Sequence, residues 1–169
     1  VWAATDRGLS VLRQGLNEWR TVQSGREWHA VCETKGVVLG AATDPGDVRG
    51  RFVVLSGSVE RDAWTSLLVP AHHGARVHQL LVLGDDVWMA TDAGLYRTRD
   101  AGETWARFAA ETLWSGRVTR LCRGEGNLLC VQSVPTDPPS LTAFLNVTRD
   151  GGRTWKVLGP AIPGHARAL

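Results

Sequence analysis

Thr98-Arg-Asp-Ala-Gly-Glu-Thr-Trp105 and Thr148-Arg-Asp-Gly-Gly-Arg-Thr-Trp155 are the two stretches of sequence that decide the fold of this chain. They are identical at six of eight positions. In each stretch the aspartate can accept hydrogen bonds from backbone N–H groups two residues on, and the glycine can take a positive φ without steric cost. The pattern therefore predicts a tight turn followed by a tryptophan whose large apolar ring packs against a neighbouring sheet.

A second repeat lies upstream of the first of these stretches. Residues Val1–Leu9 align without a gap on Val87–Leu95, and the same offset places Trp19 on Trp105, which gives nine identities in nineteen positions. Self-similarity of this kind is typical of proteins built from one repeated supersecondary unit. We therefore expect each unit to carry the same strands in the same order.

Short apolar runs separated by polar turns surround each repeat. The clearest are 77–83 followed by 87–91, and 118–122 followed by 128–131, with a weaker copy at 28–42. Runs of this length, rich in Val, Leu and Trp and bounded by Gly, Asp and Asn, predict strands, and no stretch sustains a helical period. The sequence therefore predicts an all-β meander with four strands in each unit.

The repeats divide the chain into units of similar length. Complete units are expected at about 28–70, 77–110 and 118–160. Residues 1–22 are then the last three strands of an earlier unit, and residues 165–169 are the first strand of a later one. The chain has eight tryptophans, and one in each unit is expected to pack between sheets: Trp19, Trp64, Trp105 and Trp155.

These motifs resemble the Asp-box, or BNR-repeat, β-propellers, because both stretches match the pattern S/T-x-D-x-G-x-T-W in full. The strand at 87–96 is also similar to the one that leads into the box in sortilin-type receptors, in photosystem II assembly factors of the Ycf48 type and in xyloglucanase-like hydrolases. The resemblance is strong over 77–108 and 141–158. Near Trp64 the box has decayed, with Val59 at the aspartate position and Arg61 at the glycine position.

The resemblance implies a β-propeller of four-stranded antiparallel blades. The chain supplies about four blade-equivalents, and we expect it to be part of a larger ring of roughly seven or eight blades. Closure as four blades, through pairing of 165–169 with 1–6, stays open as an alternative. The resemblance also implies residence outside the cytoplasm and a structural role for the box residues, which are Thr98, Asp100, Gly102, Thr104, Trp105, Thr148, Asp150, Gly152, Thr154 and Trp155.

Composition excludes several classes of partner. The formal charge is +2, from 19 Lys and Arg against 17 Asp and Glu that are scattered along the chain. This is too weak and too mixed for a nucleic-acid surface. No apolar run approaches the roughly 18 residues that cross a bilayer. Signatures of phosphate-binding or metal-binding loops are absent, and the adjacent His72 and His73 point apart on an extended chain. We therefore predict no nucleic acid, no membrane insertion, no cofactor and no metal.

Candidate binding residues emerge when the first strands of the units are aligned. His29, His78, Thr119 and Arg167 then occupy one equivalent position. In a propeller the first strands line the central channel, so these residues are candidates for a polar ring near one mouth. The alternative is that each is separately hydrogen-bonded at the start of its strand. Trp114, between two units, is a candidate contact for a protein or a sugar, because aromatic anchors concentrate in binding sites.

Catalytic residues are harder to find in this sequence. A glycoside hydrolase needs two carboxylates across a sugar cleft, and Asp44, Asp47 and Asp137 are the candidates, although their Pro and Gly neighbours also fit plain turns. The single tyrosine, Tyr96, fits packing better than catalysis. We therefore predict a non-enzymatic module that binds a protein partner or assists assembly of a complex. The alternatives are the propeller portion of a glycoside hydrolase and a glycan-binding lectin.

Two further motifs concern covalent chemistry. Cys122 and Cys130 flank a turn-like segment and could face each other across a hairpin, as a disulfide or as two free thiols. Asn146-Val-Thr148 has the form of a glycosylation sequon. Its threonine already belongs to an Asp box, which favours coincidence.

Overall fold

The computed structural model describes residues 1–12, 15, 17–43, 52–58, 63–69, 74–108, 116–135 and 142–163. Within these ranges the chain contains sixteen strands and no helix, arranged in four antiparallel sheets that we call blades 1 to 4. The predicted all-β fold of four-stranded antiparallel blades is confirmed. The described residues contain no helix that could cross a membrane.

The strands follow one another along each blade. Blade 1 contains β1 (Trp2–Thr5), β2 (Gly8–Leu12) and β3 (Trp19–Ser24). Blade 2 contains β4 (Trp28–Thr34), β5 (Val37–Thr43), β6 (Phe52–Ser58) and β7 (Ala63–Leu67). Blade 3 contains β8 (Val77–Leu83), β9 (Asp86–Thr91), β10 (Gly94–Thr98) and β11 (Ala106–Arg107). Blade 4 contains β12 (Gly116–Arg123), β13 (Leu129–Pro135), β14 (Thr142–Thr148) and β15 (Lys156–Val157).

Blade 4 also carries a strand that the sequence did not predict. This strand, β16 (Ile162–Pro163), pairs with the beginning of β14, where Thr142 faces Pro163 and Ala143 faces Ile162. A strand of two residues is too short to produce an alternating pattern. It forms because the backbone of β14 extends beyond its pairing with β15.

The hydrophobic core lies between the blades rather than inside them. Side chains alternate along each strand, so every blade presents one apolar face to each neighbour. Leu9 of blade 1 packs with Trp28 of blade 2. Leu39 of blade 2 packs with Tyr96 of blade 3. Trp88 of blade 3 packs with buried apolar side chains of blade 4. Tyr96 is fully buried, in agreement with the predicted packing role.

The turn that joins β1 to β2 in blade 1 is the same as the turn that joins β9 to β10 in blade 3. In blade 1 the Thr5 hydroxyl donates to the Gly8 carbonyl at 2.7 Å, and in blade 3 the Thr91 hydroxyl donates to the Gly94 carbonyl at 2.9 Å. Each hydroxyl also accepts from the backbone N–H two residues on. This turn explains why the sequence Thr-Asp-x-Gly-Leu is repeated.

The expected packing of Trp19 is wrong. Its side chain is 52% exposed, whereas Trp105 is 8% exposed. The difference arises because the tryptophan of a box packs on the blade that precedes its own: Trp105 contacts the core shared with blade 2, and Trp155 contacts Trp88 of blade 3. Trp19 belongs to blade 1, which has no preceding blade among the described residues.

Candidate functional site

The aligned positions His29, His78 and Thr119 share one structural feature. In the first strand of blades 2, 3 and 4 the pairing register shifts by one residue, between Trp28 and Ala30, between Val77 and Gln79, and between Val118 and Arg120. Each aligned residue is therefore the extra residue of a β-bulge. A bulge re-aims its side chain and is frequent beside binding sites. We call these three residues the bulge row.

Two residues of the bulge row have a polar partner on the neighbouring strand. Nε2 of His78 donates to Oδ1 of Asp92 at 2.7 Å. Nε2 of His29 and Oγ1 of Thr43 lie 2.9 Å apart in a hydrogen bond in which either atom can donate. Asp92 and Thr43 directly follow the residues that face Val77 and Trp28, so their positions are equivalent. The alternative of separate hydrogen bonds at each strand start therefore describes both histidines.

Thr119 has a different environment. Counting along the same register, the position that Asp92 and Thr43 occupy in their blades is Val134 in blade 4, because Val118 faces Ser133. Val134 is buried and has no side chain that could form a hydrogen bond. Blade 4 therefore has no polar side chain at the position from which Asp92 and Thr43 contact the bulge residues of their blades.

Charged groups connect the bulge row across blades 3 and 4. Nε of Arg117, in β12, lies 2.9 Å from Oδ1 of Asp92, the oxygen that also accepts from His78. The Arg117 and Asp92 side chains are 44% and 37% exposed, so solvent reaches this pair. Asp92 therefore contacts the imidazole of His78 in its own blade and the guanidinium of Arg117 in the next.

His29 has acidic and basic neighbours. Oε1 of Glu27 lies 3.7 Å from its Nε2, and the ring is 4.5 Å from the ring of Phe52 between centroids. Burial lowers the pKa of His29; the Glu27 carboxylate opposes this shift and the Arg76 guanidinium adds to it. His29 is therefore favoured in its neutral form, in which it can both donate and accept a hydrogen bond.

The remaining candidates lie outside the described residues. These are Arg167 and Trp114 of the binding set, the carboxylates Asp44, Asp47 and Asp137, and His72 and His73. Among the residues that the structure does describe, no group of three or more His, Cys, Asp and Glu side chains could hold a metal ion. The structure therefore places two members of the predicted binding set, His29 and His78, in equivalent positions of neighbouring blades, each with its own polar partner.

Sequence reasoning did not identify the partners of the bulge row. Asp92, Arg117, Glu27 and Thr43 were not singled out as binding residues. Asp92 could have been found, since it stands in the repeated Thr-Asp-x-Gly turn directly beside the strand that carries His78. Arg117 gave no such signal, because its contact crosses from one blade to the next.

The Asp boxes lie at the opposite ends of the strands. Oδ1 of Asp100 accepts from the Thr98 hydroxyl at 2.7 Å and from the Thr104 N–H at 2.9 Å, and the Thr104 hydroxyl donates to Oδ2. The second box repeats this network around Asp150. These bonds, first of all the one from Thr104, lower the pKa of Asp100 to about 2. Each aspartate therefore closes its own turn as an ionised carboxylate.

Each box also joins two blades. A Cβ on Gly102 would stand 2.8 Å from Cδ1 of Leu67 in blade 2, and one on Gly152 would stand 2.6 Å from Cε1 of Phe108 at the end of blade 3. Both glycines have a positive φ, of 98° and 85°. Arg97 of blade 3 donates to the carbonyl of Gly151 and lies over the Trp88 ring, 5.3 Å from its centroid. The box therefore works as a joint between blades.

A cleft of about 260 Å³ opens beside the second box. Trp88 and Leu83 line its apolar part, and Asp85, Asn127 and Arg149 line its polar part.

Asn146 of the sequon does not reach solvent in the folded blade. It is 1% exposed, and its Nδ2 donates to the Ser133 hydroxyl at 2.9 Å. The amide nitrogen that glycosylation would use is therefore enclosed in the folded blade.

No family model and no curated protein matches this chain. Among solved structures it is similar to an ancestral GH74 enzyme, with TM-score 0.69 and 13% identity over 93% of this chain and 23% of that chain. It is similar to YCF48 bound to a D1 peptide, with TM-score 0.59 and 18% identity over 92% of this chain and 48% of that chain. It is also similar to a chain of the nidogen/laminin complex, with TM-score 0.63 and 9% identity over 94% of this chain and 60% of that one.

At these identities the likeness concerns the fold. The chain spans less than two thirds of the length of each of the three solved chains. GH74 and YCF48 structures are Asp-box β-propellers, and this chain shares both their blade architecture and two complete boxes. The chain therefore has the fold of the Asp-box β-propellers.

Proposed function

We propose that this chain is a non-enzymatic binding module. It binds a segment of a protein partner at the mouth of the central channel, where the bulge row lies. The observation that carries the proposal is the cluster of His78, Asp92 and Arg117, which places a carboxylate between an imidazole and a guanidinium at a solvent-exposed junction of two blades. Polar groups held in fixed positions give orientation and specificity to a binding surface.

The chemistry of this mouth suits a peptide with polar side chains. Arg76 and Glu27 are both exposed there, on the residues that precede β8 and β4. Their backbone carbonyls accept from the N–H groups of Asp92 and Thr43, at 3.0 Å and 2.9 Å, so both side chains project from a rigid base. Together with the two histidines they provide charges of both signs and several hydrogen-bond donors at the beginning of two neighbouring first strands.

The similar solved structures support a protein partner. One is YCF48 bound to a D1 peptide, and another is a complex of nidogen with laminin. They show that the same fold binds a peptide and takes part in a protein complex, which favours a partner of this class here.

Selection from a phage-displayed library of random peptides tests the proposal. Selected peptides would be synthesised and their affinity measured by fluorescence anisotropy on the parent chain and on Arg76→Ala and His78→Ala. Arg99→Ala is the matched control, since its exposed side chain lies at the opposite, Asp-box end of blade 3. We expect binding to weaken at least tenfold in the first two variants and to be unchanged in the control. Equal binding by all variants, or no selected peptide, would contradict the proposal.

A glycoside hydrolase or a lectin is the second candidate. The similarity to an ancestral GH74 enzyme over 93% of this chain favours it. A catalytic role would fall to Asp44, Asp47 or Asp137, none of which is among the described residues. Hydrolysis of aryl-glycosides that is lost on substitution of these aspartates would support the enzyme. Binding on a glycan array without turnover would support the lectin.

We further propose that the four blades belong to a larger ring. The strands equivalent to β1, which are β5, β9 and β13, are each paired on both edges, whereas β1 pairs only with β2 among the described strands. Among the described residues, Trp19 likewise has no preceding blade of the kind on which Trp105 and Trp155 pack. Blade 1 therefore offers an open strand edge and an exposed tryptophan ring.

Hydrogen exchange measured by mass spectrometry tests this arrangement. In the isolated chain we expect the amides of Trp2–Thr5 to exchange faster than those of β5 and β9. Strong protection of β1 that disappears when residues 164–169 are removed would instead support a ring closed by the two ends of this chain.

A further inference from the structure

Cys122 and Cys130 lie directly opposite each other on the β12–β13 hairpin. Opposite residues on antiparallel strands have Cα atoms about 4.5–5.5 Å apart and direct their side chains to the same face. A disulfide needs a Cα separation of about 4.4–6.8 Å. Both residues are half-buried free thiols in this structure. The backbone therefore already has the separation that a disulfide bond requires.

The hairpin holds this register firmly. The Gly124 N–H donates to the Leu128 carbonyl at 2.9 Å and closes the turn between the two cysteines. On the other face of the same strands, Leu121, Leu129 and Val131 are buried in the core between blades 3 and 4. A slip of one residue would turn these apolar side chains out of the core, so the cysteines stay aligned.

The two thiols differ in their surroundings. Burial and the nearby Cys122 thiol raise the pKa of Cys130, and Arg149 partly offsets this. Sγ of Cys122 lies 3.7 Å from the Arg123 carbonyl. Because the thiolate is the attacking species, the raised pKa of Cys130 makes this thiol less suited to the first attack on an oxidant and leaves it to resolve the product.

We propose that Cys122 and Cys130 are a modification site that forms an intramolecular cross-strand disulfide with a disulfide oxidant such as oxidised glutathione. The Cys122 thiolate attacks the oxidant, and one glutathione thiol leaves. Cys130 then attacks the mixed disulfide, and the second glutathione thiol leaves. The two cysteines lose two protons and two electrons in total, and the oxidant is reduced to two thiols. This inference does not depend on the proposed binding function.

Cys32 provides a matched internal control. It faces Leu39 across the β4–β5 pair, just as Cys122 faces Cys130, so it has a hairpin of the same kind but no partner thiol. Burial raises its pKa to about 12. Cys32 should therefore stay reduced under conditions that oxidise the other two.

The experiment is an equilibration of the parent chain in glutathione buffers of increasing oxidised fraction, followed by alkylation and intact-mass measurement. We expect the parent and Cys32→Ser to lose two alkylatable thiols together, and Cys130→Ser to retain glutathione on Cys122. Peptide mapping of the oxidised parent, which needs no variant to fold, should link 122 to 130. Three alkylatable thiols at every oxidised fraction, or a bond that includes Cys32, would overturn the proposal.

Oxidation should also be visible in stability. A cross-link between neighbouring strands restricts the unfolded chain, so the thermal midpoint of the parent should rise on oxidation and fall again with a reductant. Cys122→Ser should show neither change. A parent midpoint that is equal in both redox states, together with an unlinked peptide map, would count against the pair as a disulfide site.

Discussion

The side-chain amide of Gln79 joins blade 3 to blade 4 through two hydrogen bonds to the backbone of Leu121. Its Nε2 donates to the Leu121 carbonyl at 3.0 Å, and its Oε1 accepts from the Leu121 N–H at 2.9 Å. Gln79 follows the bulge residue His78, and Leu121 lies just beyond the bulge at Thr119. The pair therefore fixes the relative position of two neighbouring bulges.

Removal of this amide should loosen the junction between the blades. Gln79→Ala leaves both backbone groups of Leu121 partly buried without their partner, which should cost about 1–3 kcal/mol of unfolding free energy. Urea unfolding followed by tryptophan emission measures this. Glu18→Ala, at an exposed position of blade 1, is the control and should change stability by less than about 0.5 kcal/mol. Equal stability of the two variants would show that the hydrogen bonds between Gln79 and Leu121 do not contribute to the free energy of unfolding.

The box glycine should be irreplaceable because of its neighbour as well as its φ. Gly152→Ala places a Cβ 2.6 Å from Phe108 in blade 3 at a φ of 85°. Gly126→Ala is matched in backbone, with a φ of 63°, but its Cβ would meet nothing within 4 Å. Both variants carry the backbone strain, and only Gly152→Ala adds overpacking, which should cost about 1–3 kcal/mol more. Chemical denaturation of the two variants side by side gives this difference directly.

The repeated tryptophans should differ in their contribution to stability according to the blade that precedes them. Trp105→Ala should cost about 3–5 kcal/mol, because it empties a buried site between blades 2 and 3. Trp19→Ala removes a ring that is 52% exposed and should cost far less. Thermal melts of both variants test this. Similar midpoints for the two would contradict the assignment of the box tryptophan to the preceding blade.

Acid should destabilise the boxes in a defined range of pH. The pKa of Asp100 is lowered from 3.8 to about 2 by its hydrogen bonds, and the pKa of Asp150 is lowered in the same way. A lowered folded-state pKa gives stability that is present above the unfolded pKa, so it should be lost as the pH falls from about 4 towards 2. Urea midpoints measured across this range should fall less steeply for Asp100→Asn than for the parent.

The control for the acid experiment is Asp6→Asn. Asp6 is exposed in the turn between β1 and β2, outside any box. Its substitution should leave the pH dependence of the urea midpoint unchanged. A parent chain whose stability is constant between pH 4 and pH 2 would show that the box carboxylates do not gain their hydrogen bonds on folding.

The bulge row shows which part of the candidate site can be predicted from a sequence repeat. Alignment of the first strands placed His29, His78 and Thr119 at equivalent positions, because strands of one repeat share their register. It could not show that the position is a bulge, since the extra residue is visible only when the partner strand is counted. It also could not supply Arg117, whose contact with Asp92 crosses between blades.

The sequence alone determined the strand order, the turns and the box chemistry. These depend on residues a few positions apart, such as Thr98, Asp100 and Thr104, whose side chains meet whatever the rest of the chain does. Only the tertiary structure decided which blade each box contacts. Three features depend on distances between sheets: the packing of Trp105 on blade 2, the exposure of Trp19, and the hydrogen bonds between Gln79 and Leu121. Those distances are set by the stacking of whole blades, which leaves no periodic trace in the sequence.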